Sequence, residues 1–178
     1  MKPLHLVLPL ALGLCTANCA PPKDANAPGG ATTSKGSAPD FELPELKGGT
    51  VRLGDYLDGK HVVLLNFWST TCDPCMAEMP HLVELYKKHK DAGFVVLSVA
   101  ADGPESRAQV SSTVQQKEMI FPVLLDEETT QTARFNPKRE LPFNVLIGKS
   151  GAIIMKRPGY QGGDEKLITA EVEKALSE

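Results

Sequence analysis

Positive charge is never concentrated in this chain. Of its 178 residues, 19 are Lys or Arg and 22 are Asp or Glu, a formal net charge of −3. Only Lys2, Lys23, Lys35 and Asp24 of these precede residue 40, so the part from Asp40 onward carries a net charge of −5, and no run of Lys and Arg exceeds two residues. A nucleic-acid surface needs a basic patch or stripe, and that class of partner is excluded. Cysteine is also scarce. Four residues, Cys15, Cys19, Cys72 and Cys75, are too few and too unevenly placed to staple a chain of this length as a disulfide scaffold. The four histidines, His5, His61, His81 and His89, form no ligand-like pair, so a zinc site built on two of the cysteines lacks its other half and no metal is expected. A spanning helix needs roughly 20 apolar residues. The apolar stretch that opens the chain, Leu4–Ala17, has 14 residues and is interrupted by His5 and Pro9. No segment repeats. At 42% hydrophobic and 23% charged residues, what remains is an ordinary globular domain with an appendage, and no cofactor is called for.

The appendage comes first. Lys2, the apolar stretch and the small residues after it have the proportions of a secretory signal within residues 1–19, and ordinary cleavage after Cys15-Thr16-Ala17 would leave Asn18 first. Thr16-Ala17-Asn18-Cys19 also resembles a relaxed bacterial lipoprotein signal, in which the cysteine becomes the lipid-bearing first residue. Thr16 stands there in place of the usual Leu, and Asn18 in place of the usual small residue. Lipidation at Cys19 would remove an odd free thiol from an exported, oxidising setting. Between Ala20 and Pro39, 12 of 20 residues are Ala, Pro or Gly. Such a segment buries too little apolar surface to offset its ordering entropy, and residues 20–38 read as a disordered linker reaching roughly 25 Å from an anchor. The folded domain is expected over 39–178.

Within that domain, strand and helix patterns alternate. Phe41, Leu43 and Leu46, then Gly48-Gly49, then Val51 and Leu53 predict an N-terminal hairpin. Val62–Phe67 and Phe94–Ala100 are continuous apolar runs of strand length, as in strands covered on both faces. Met76, Met79, Leu82, Val83, Leu85 and Tyr86 recur at helical spacing, with Pro74 in the first turn and Pro80 expected to kink the helix. Pro104–Glu118 predicts a weakly amphipathic helix, Phe121–Leu125 a short strand and Glu127–Phe135 a short helix. Phe143–Ile147 and Ala152–Met155 predict a second hairpin. Leu167, Ile168, Val172, Ala175 and Leu176 mark a last helix, with Asp164 as its candidate cap. The class is α/β, a central mixed β-sheet flanked by helices.

Chemistry concentrates at Cys72-Asp73-Pro74-Cys75, between a buried strand and an amphipathic helix. At a helix start the first sulfur faces free backbone N–H groups and the positive end of the helix dipole, which favour its thiolate. Cys72 is thus the expected nucleophile, and Cys75, one turn in, the thiol that resolves the mixed disulfide. The carboxylate of Asp73 opposes thiolate formation, so Cys72 is expected to be less acidic than the extreme members of this motif class. Glu78 lies three residues beyond Cys75 and could relay a proton, although taken alone it reads as a solvated helix residue. Pro142 precedes a strand and is either a cis proline beside the dithiol or an ordinary strand-start proline. Trp68, the only tryptophan, reads as core or as the wall of a substrate groove.

The run Asn66-Phe67-Trp68-Ser69-Thr70-Thr71-Cys72-Asp73-Pro74-Cys75-Met76-Ala77-Glu78-Met79-Pro80 closely resembles the active-site segment of the thioredoxin-like family typified by ResA and TlpA. The likeness extends from Ala38-Pro39-Asp40-Phe41 through Phe121–Asp126 to Leu141–Ile147. It implies a thioredoxin fold with an added N-terminal hairpin and an insert within Asp102–Arg139, before the cis-proline strand. It implies extracytoplasmic thiol–disulfide exchange, with Cys72 as nucleophile, Cys75 as resolving thiol, Glu78 as the buried acid and Pro142 as the cis proline. Thr71 and Leu141 depart from the family pattern at positions bordering the substrate groove, where Trp68, Leu141 and Pro142 are the substrate-binding candidates. Implied partners are disulfide-containing exported proteins, apocytochrome c among the candidates, and a membrane thiol–disulfide electron carrier. A lipid at Cys19 would supply the membrane attachment of an exported bacterial protein.

Two other classes compete. A peroxiredoxin-like thiol peroxidase wants a Thr or Ser three residues before its cysteine, met by Ser69, and a Pro farther upstream, where Leu65 stands instead. A copper-binding delivery module could use the two thiols as soft ligands, but Met76 is the only additional donor nearby.

Overall fold

A buried seven-residue strand, uniformly apolar except at one position, sets the architecture. The structure, a computed structural model, describes Met1 and residues 36–178. The expected signal, Cys19 and most of the expected linker therefore lie outside the described residues. The elements among the described residues are β1 (Glu42–Pro44), β2 (Thr50–Arg52), β3 (Val62–Trp68), α1 (Asp73–His89), β4 (Phe94–Ala100), α2 (Arg107–Gln116), β5 (Val123–Leu125), α3 (Thr130–Phe135), β6 (Phe143–Ile147), β7 (Ile153–Pro158) and α4 (Asp164–Ser177). β1 and β2 form a separate antiparallel hairpin. The main sheet has the order β5-β4-β3-β6-β7, with β3 central, parallel to β4 and antiparallel to β6. This is the α/β thioredoxin fold with its N-terminal hairpin, and the residues between β4 and β6 supply α2, the edge strand β5 and α3.

Both faces of the sheet are covered, which is why β3 and β6 are buried along their whole length. Leu82 and Val83 of α1, Val110 of α2 and Ile168 and Val172 of α4 pack on Val62, Leu64, Trp68 and Val96. On the other face, Phe41, Leu43, Leu53 and Phe135 cover Val63, Leu65, Phe67, Leu97 and Val145. The N-terminal segment straps that second face from edge to edge. Ala38 N–H donates to Gly151 O (3.0 Å) beside β7, and Leu46 N–H donates to Val123 O (2.9 Å) on β5. Both sheet edges thus gain a partner. Strand-like pairing begins at Ser37, two residues before the expected domain start.

Local differences from expectation have local causes. α1 is one helix from Asp73 to His89, with Pro80 inside it, exposed to solvent. Pro104–Ser106 form a 3-10 turn before α2. α3 starts at Thr130 because the buried Asp126 carboxylate takes Thr132 N–H (2.6 Å), Thr132 Oγ1–H (2.7 Å) and Gln131 N–H (3.2 Å), so the chain turns before it winds. Asp164 is the first residue of α4 and not its cap. Gly163, at φ 105°, takes the cap position, and the Asp164 carboxylate accepts from Gln161 N–H (2.9 Å) and pairs with Arg157. Among the described residues, no helix is long and apolar enough to cross a membrane.

Candidate active site

The dithiol stands where β3 hands the chain to α1. Cys72 is the N-cap of the helix, with extended backbone, and its Sγ accepts from Cys75 N–H at 3.2 Å. One backbone N–H is therefore already aimed at the sulfur expected to carry negative charge. Pro74 occupies the first turn, where a missing N–H leaves no helical bond unmade. Cys72 and Cys75 are joined in a disulfide, their Cα atoms 5.2 Å apart. Exposure separates the two sulfurs' residues: Cys72 is partly exposed, whereas Cys75 is 0% exposed. Asp73 points to solvent.

The loop before the dithiol is held from the next strand. Trp68 O accepts from Ala101 N–H (2.8 Å). The Asp102 carboxylate accepts from Thr70 N–H (3.0 and 3.1 Å) and from Thr70 Oγ1–H (2.6 Å). A charged acceptor with two donors fixes the two-residue approach to Cys72.

Glu78 lies one turn beyond Cys75 and is 1% exposed, so it is not the solvated helix residue that its type alone suggests. Asn144 Nδ2–H donates to Glu78 Oε1 at 2.6 Å, and Asn66 Nδ2–H donates to Glu78 Oε2 at 3.0 Å. Burial pushes the Glu78 carboxyl up to about 7. The amides of Asn144 and Asn66 pull in the opposite direction, Asp164 adds to the rise, and Arg157 opposes it. A buried acid with such a value can exchange its proton near neutral pH.

The Leu141–Pro142 peptide is cis, and Pro142 is buried. Pro142 directly precedes β6, whose Phe143 pairs with Phe67 at the end of β3 from which the dithiol loop leaves. Leu141, half-buried, packs on both core clusters. Trp68 is 0% exposed and belongs to the core cluster containing Cys75 and Met79, so it packs the interior and presents no wall to a groove. A polar cleft of about 390 Å³ borders the dithiol turn, lined by Pro74, Arg157, Pro158, Tyr160 and Asp164.

Sequence reasoning did not single out Asn66, Asn144, Asp102 or Arg157. The first two had a signal: each is an amide inside an otherwise apolar, fully buried strand, and such a group needs a partner. Asp102 carried none, because its partner Thr70 lies 32 residues away. Among the described residues, no three His, Cys, Asp or Glu side chains converge as a metal site.

Comparison with known proteins agrees with this geometry. A model of the AhpC/TSA family matches residues 35–156. The chain is 39% identical over 124 residues to the thiol-disulfide oxidoreductase ResA of Bacillus cereus, covering 70% of this chain and 69% of that protein. It is 34% identical over 136 residues to ResA of Halalkalibacterium halodurans, covering 76% and 73%. A crystal structure from Chlorobium tepidum, provisionally named thiol:disulfide interchange protein DsbE, superposes with a TM-score of 0.71 at 29% identity over 79% of this chain and 95% of that one.

Proposed function

Since the chain belongs to the AhpC/TSA family and is a thioredoxin-like thiol–disulfide oxidoreductase, we propose that it works outside the cytoplasmic membrane, reducing disulfides in exported proteins through Cys72 and Cys75. The observation that carries this reading is the asymmetry of the pair: a partly exposed cysteine at a helix N-terminus, and a buried one a single helical turn before a buried acid.

In the reduced enzyme the Cys72 thiolate attacks one sulfur of a substrate disulfide. A mixed disulfide forms, and the first substrate sulfur leaves as a thiolate that takes a proton from water. Cys75 then gives its proton to the Glu78 carboxylate and attacks the Cys72 sulfur. The Cys72–Cys75 bond closes, and the second substrate sulfur leaves. Two electrons have passed to the substrate, and a membrane thiol–disulfide carrier returns two electrons to the pair. Leu141 and Pro142 are the substrate-side candidates at the start of β6. Trp68 acts from beneath, as packing. Apocytochrome c is the substrate class suggested by the resemblance to ResA and TlpA.

The leader over 1–19 supports export, Cys19 supports a lipid anchor, and the composition of 20–38 supports a tether. Insulin reduction tests the chemistry. Wild type is expected to be active, Cys72→Ser inactive, and Cys75→Ser trapped as a mixed disulfide. Equal activity of wild type and Cys72→Ser would overturn the reading. Metabolic labelling with a radioactive fatty acid, lost in Cys19→Ala, tests the anchor.

A further inference from the structure

Two asparagines interrupt the apolar interior of the sheet. Asn66 and Asn144 are register partners on β3 and β6, and both are 0% exposed. They turn their amides to one carboxyl: Asn144 Nδ2–H to Glu78 Oε1 (2.6 Å) and Asn66 Nδ2–H to Glu78 Oε2 (3.0 Å). The other hydrogen of Asn66 Nδ2 goes to Asn144 Oδ1 (2.9 Å). Resting on the reading of Glu78 as the acceptor of the Cys75 proton, we propose that Asn144, braced by Asn66, is a positioning residue. It holds the Glu78 carboxylate in the ionised, two-sided hydrogen-bonded form that can take that proton.

The network leaves one consistent arrangement. Asn66 spends both amide hydrogens, one on Glu78 and one on Asn144 Oδ1. The Asn144 oxygen therefore faces Asn66, and its nitrogen faces Glu78. Amide N–H groups neither give up nor gain a proton near neutral pH, so the two asparagines orient Glu78 without competing with it. Each N–H aimed at a carboxylate oxygen favours the ionised form, against the burial that disfavours it.

The other groups facing Glu78 are compensated or turned elsewhere. On α1, His81 lines a small cavity with Glu78 and Tyr160, its ring centroid 6.0 Å from that of Tyr160, and Cys75, one turn before Glu78, is held in the disulfide. From β7 and the loop after it come Arg157, paired with Asp164 of α4, and Tyr160, whose hydroxyl donates to Glu165 of α4 at 3.0 Å. Among the described residues, the two amides alone donate directly to the Glu78 carboxyl.

The test is the pH profile of insulin reduction by the whole protein in four forms: wild type, Asn144→Val, Glu78→Gln and the double variant. Losing a donor to a charged acceptor is expected to move the acidic limb of Asn144→Val upward by about one pH unit and to leave the alkaline plateau within about threefold of wild type. In the Glu78→Gln background, Asn144→Val is expected to shift nothing further. A cooperative thermal melt checks folding, and Asn144→Ala replaces the valine variant if that one does not fold. An unmoved limb, or the same shift in the Glu78→Gln background, overturns this inference alone. If Glu78→Gln itself leaves the limb in place, the proton-acceptor reading fails first and takes this one with it.

Discussion

Glu78 makes the oxidised protein's stability depend on pH in an unusual direction. Its carboxyl titrates near 4.5 in an unfolded chain and at about 7 in the fold, chiefly because burial disfavours the charge. Between those values the native state binds the proton that the unfolded state has released, so stability falls as pH rises through this window. The stabilisation is fully present below about pH 4.5 and is lost once pH passes about 7. Proton linkage over that interval amounts to ~3 kcal/mol. Glu78→Gln keeps a neutral side chain of the same shape and does not titrate. Urea unfolding of oxidised wild type and Glu78→Gln, at pH 4.5 and at pH 8.5, isolates the effect, because other titrating groups are common to both proteins. The variant's stability relative to wild type should improve by about 2–4 kcal/mol from the lower pH to the higher. A difference between the two proteins that stays constant across pH would refute the argument, and would mean that the Asn66 and Asn144 donors fully offset burial.

Three further outcomes follow from the geometry. Iodoacetamide should label Cys72 of the reduced protein well ahead of Cys75, because only Cys72 has accessible surface; equal rates by mass spectrometry would contradict the assigned order of attack. Asp102→Asn should cost about 1–3 kcal/mol in chemical denaturation and slow disulfide exchange, since it removes the charged acceptor for Thr70; a normal exchange rate would mean that the loop before Cys72 needs no clamp. Trp68→Ala should lower stability by about 3–5 kcal/mol, while Trp68→Phe should lose less and retain exchange activity; loss of substrate binding at unchanged stability would return Trp68 to the groove.

Local periodicity was enough for most of the fold. β3 and β4 were legible because strands covered on both faces are apolar at nearly every position, and α1 and α4 because a helix on a sheet repeats its apolar face every turn. Boundaries failed where a nearby polar side chain intervened without a periodic signal, as Asp126 delays α3 and as Arg157 draws Asp164 away from capping α4. The redox motif was legible because its meaning is local: two cysteines spaced by one helical turn at a helix start. The resemblance to the ResA and TlpA type then raised Glu78 and Pro142 above their ordinary readings.

By itself, then, the sequence determined the α/β class, the dithiol and the order of its strands and helices along the chain, because each is written in spacing within a few residues. It also sets Cys72 and Cys75 well apart from Cys15 and Cys19, which lie in and just after the apolar stretch Leu4–Ala17. The tertiary structure decided what surrounds the dithiol. Only strand register brings Asn66 and Asn144, 78 residues apart, onto the same carboxyl, and only the return of the chain after β4 places Asp102 against Thr70. Burial likewise turned Glu78 from a surface residue into an acid titrating near neutrality and took Trp68 out of the groove. A side chain's solvation and charge depend on neighbours that sequence spacing does not specify, so these roles were settled by packing.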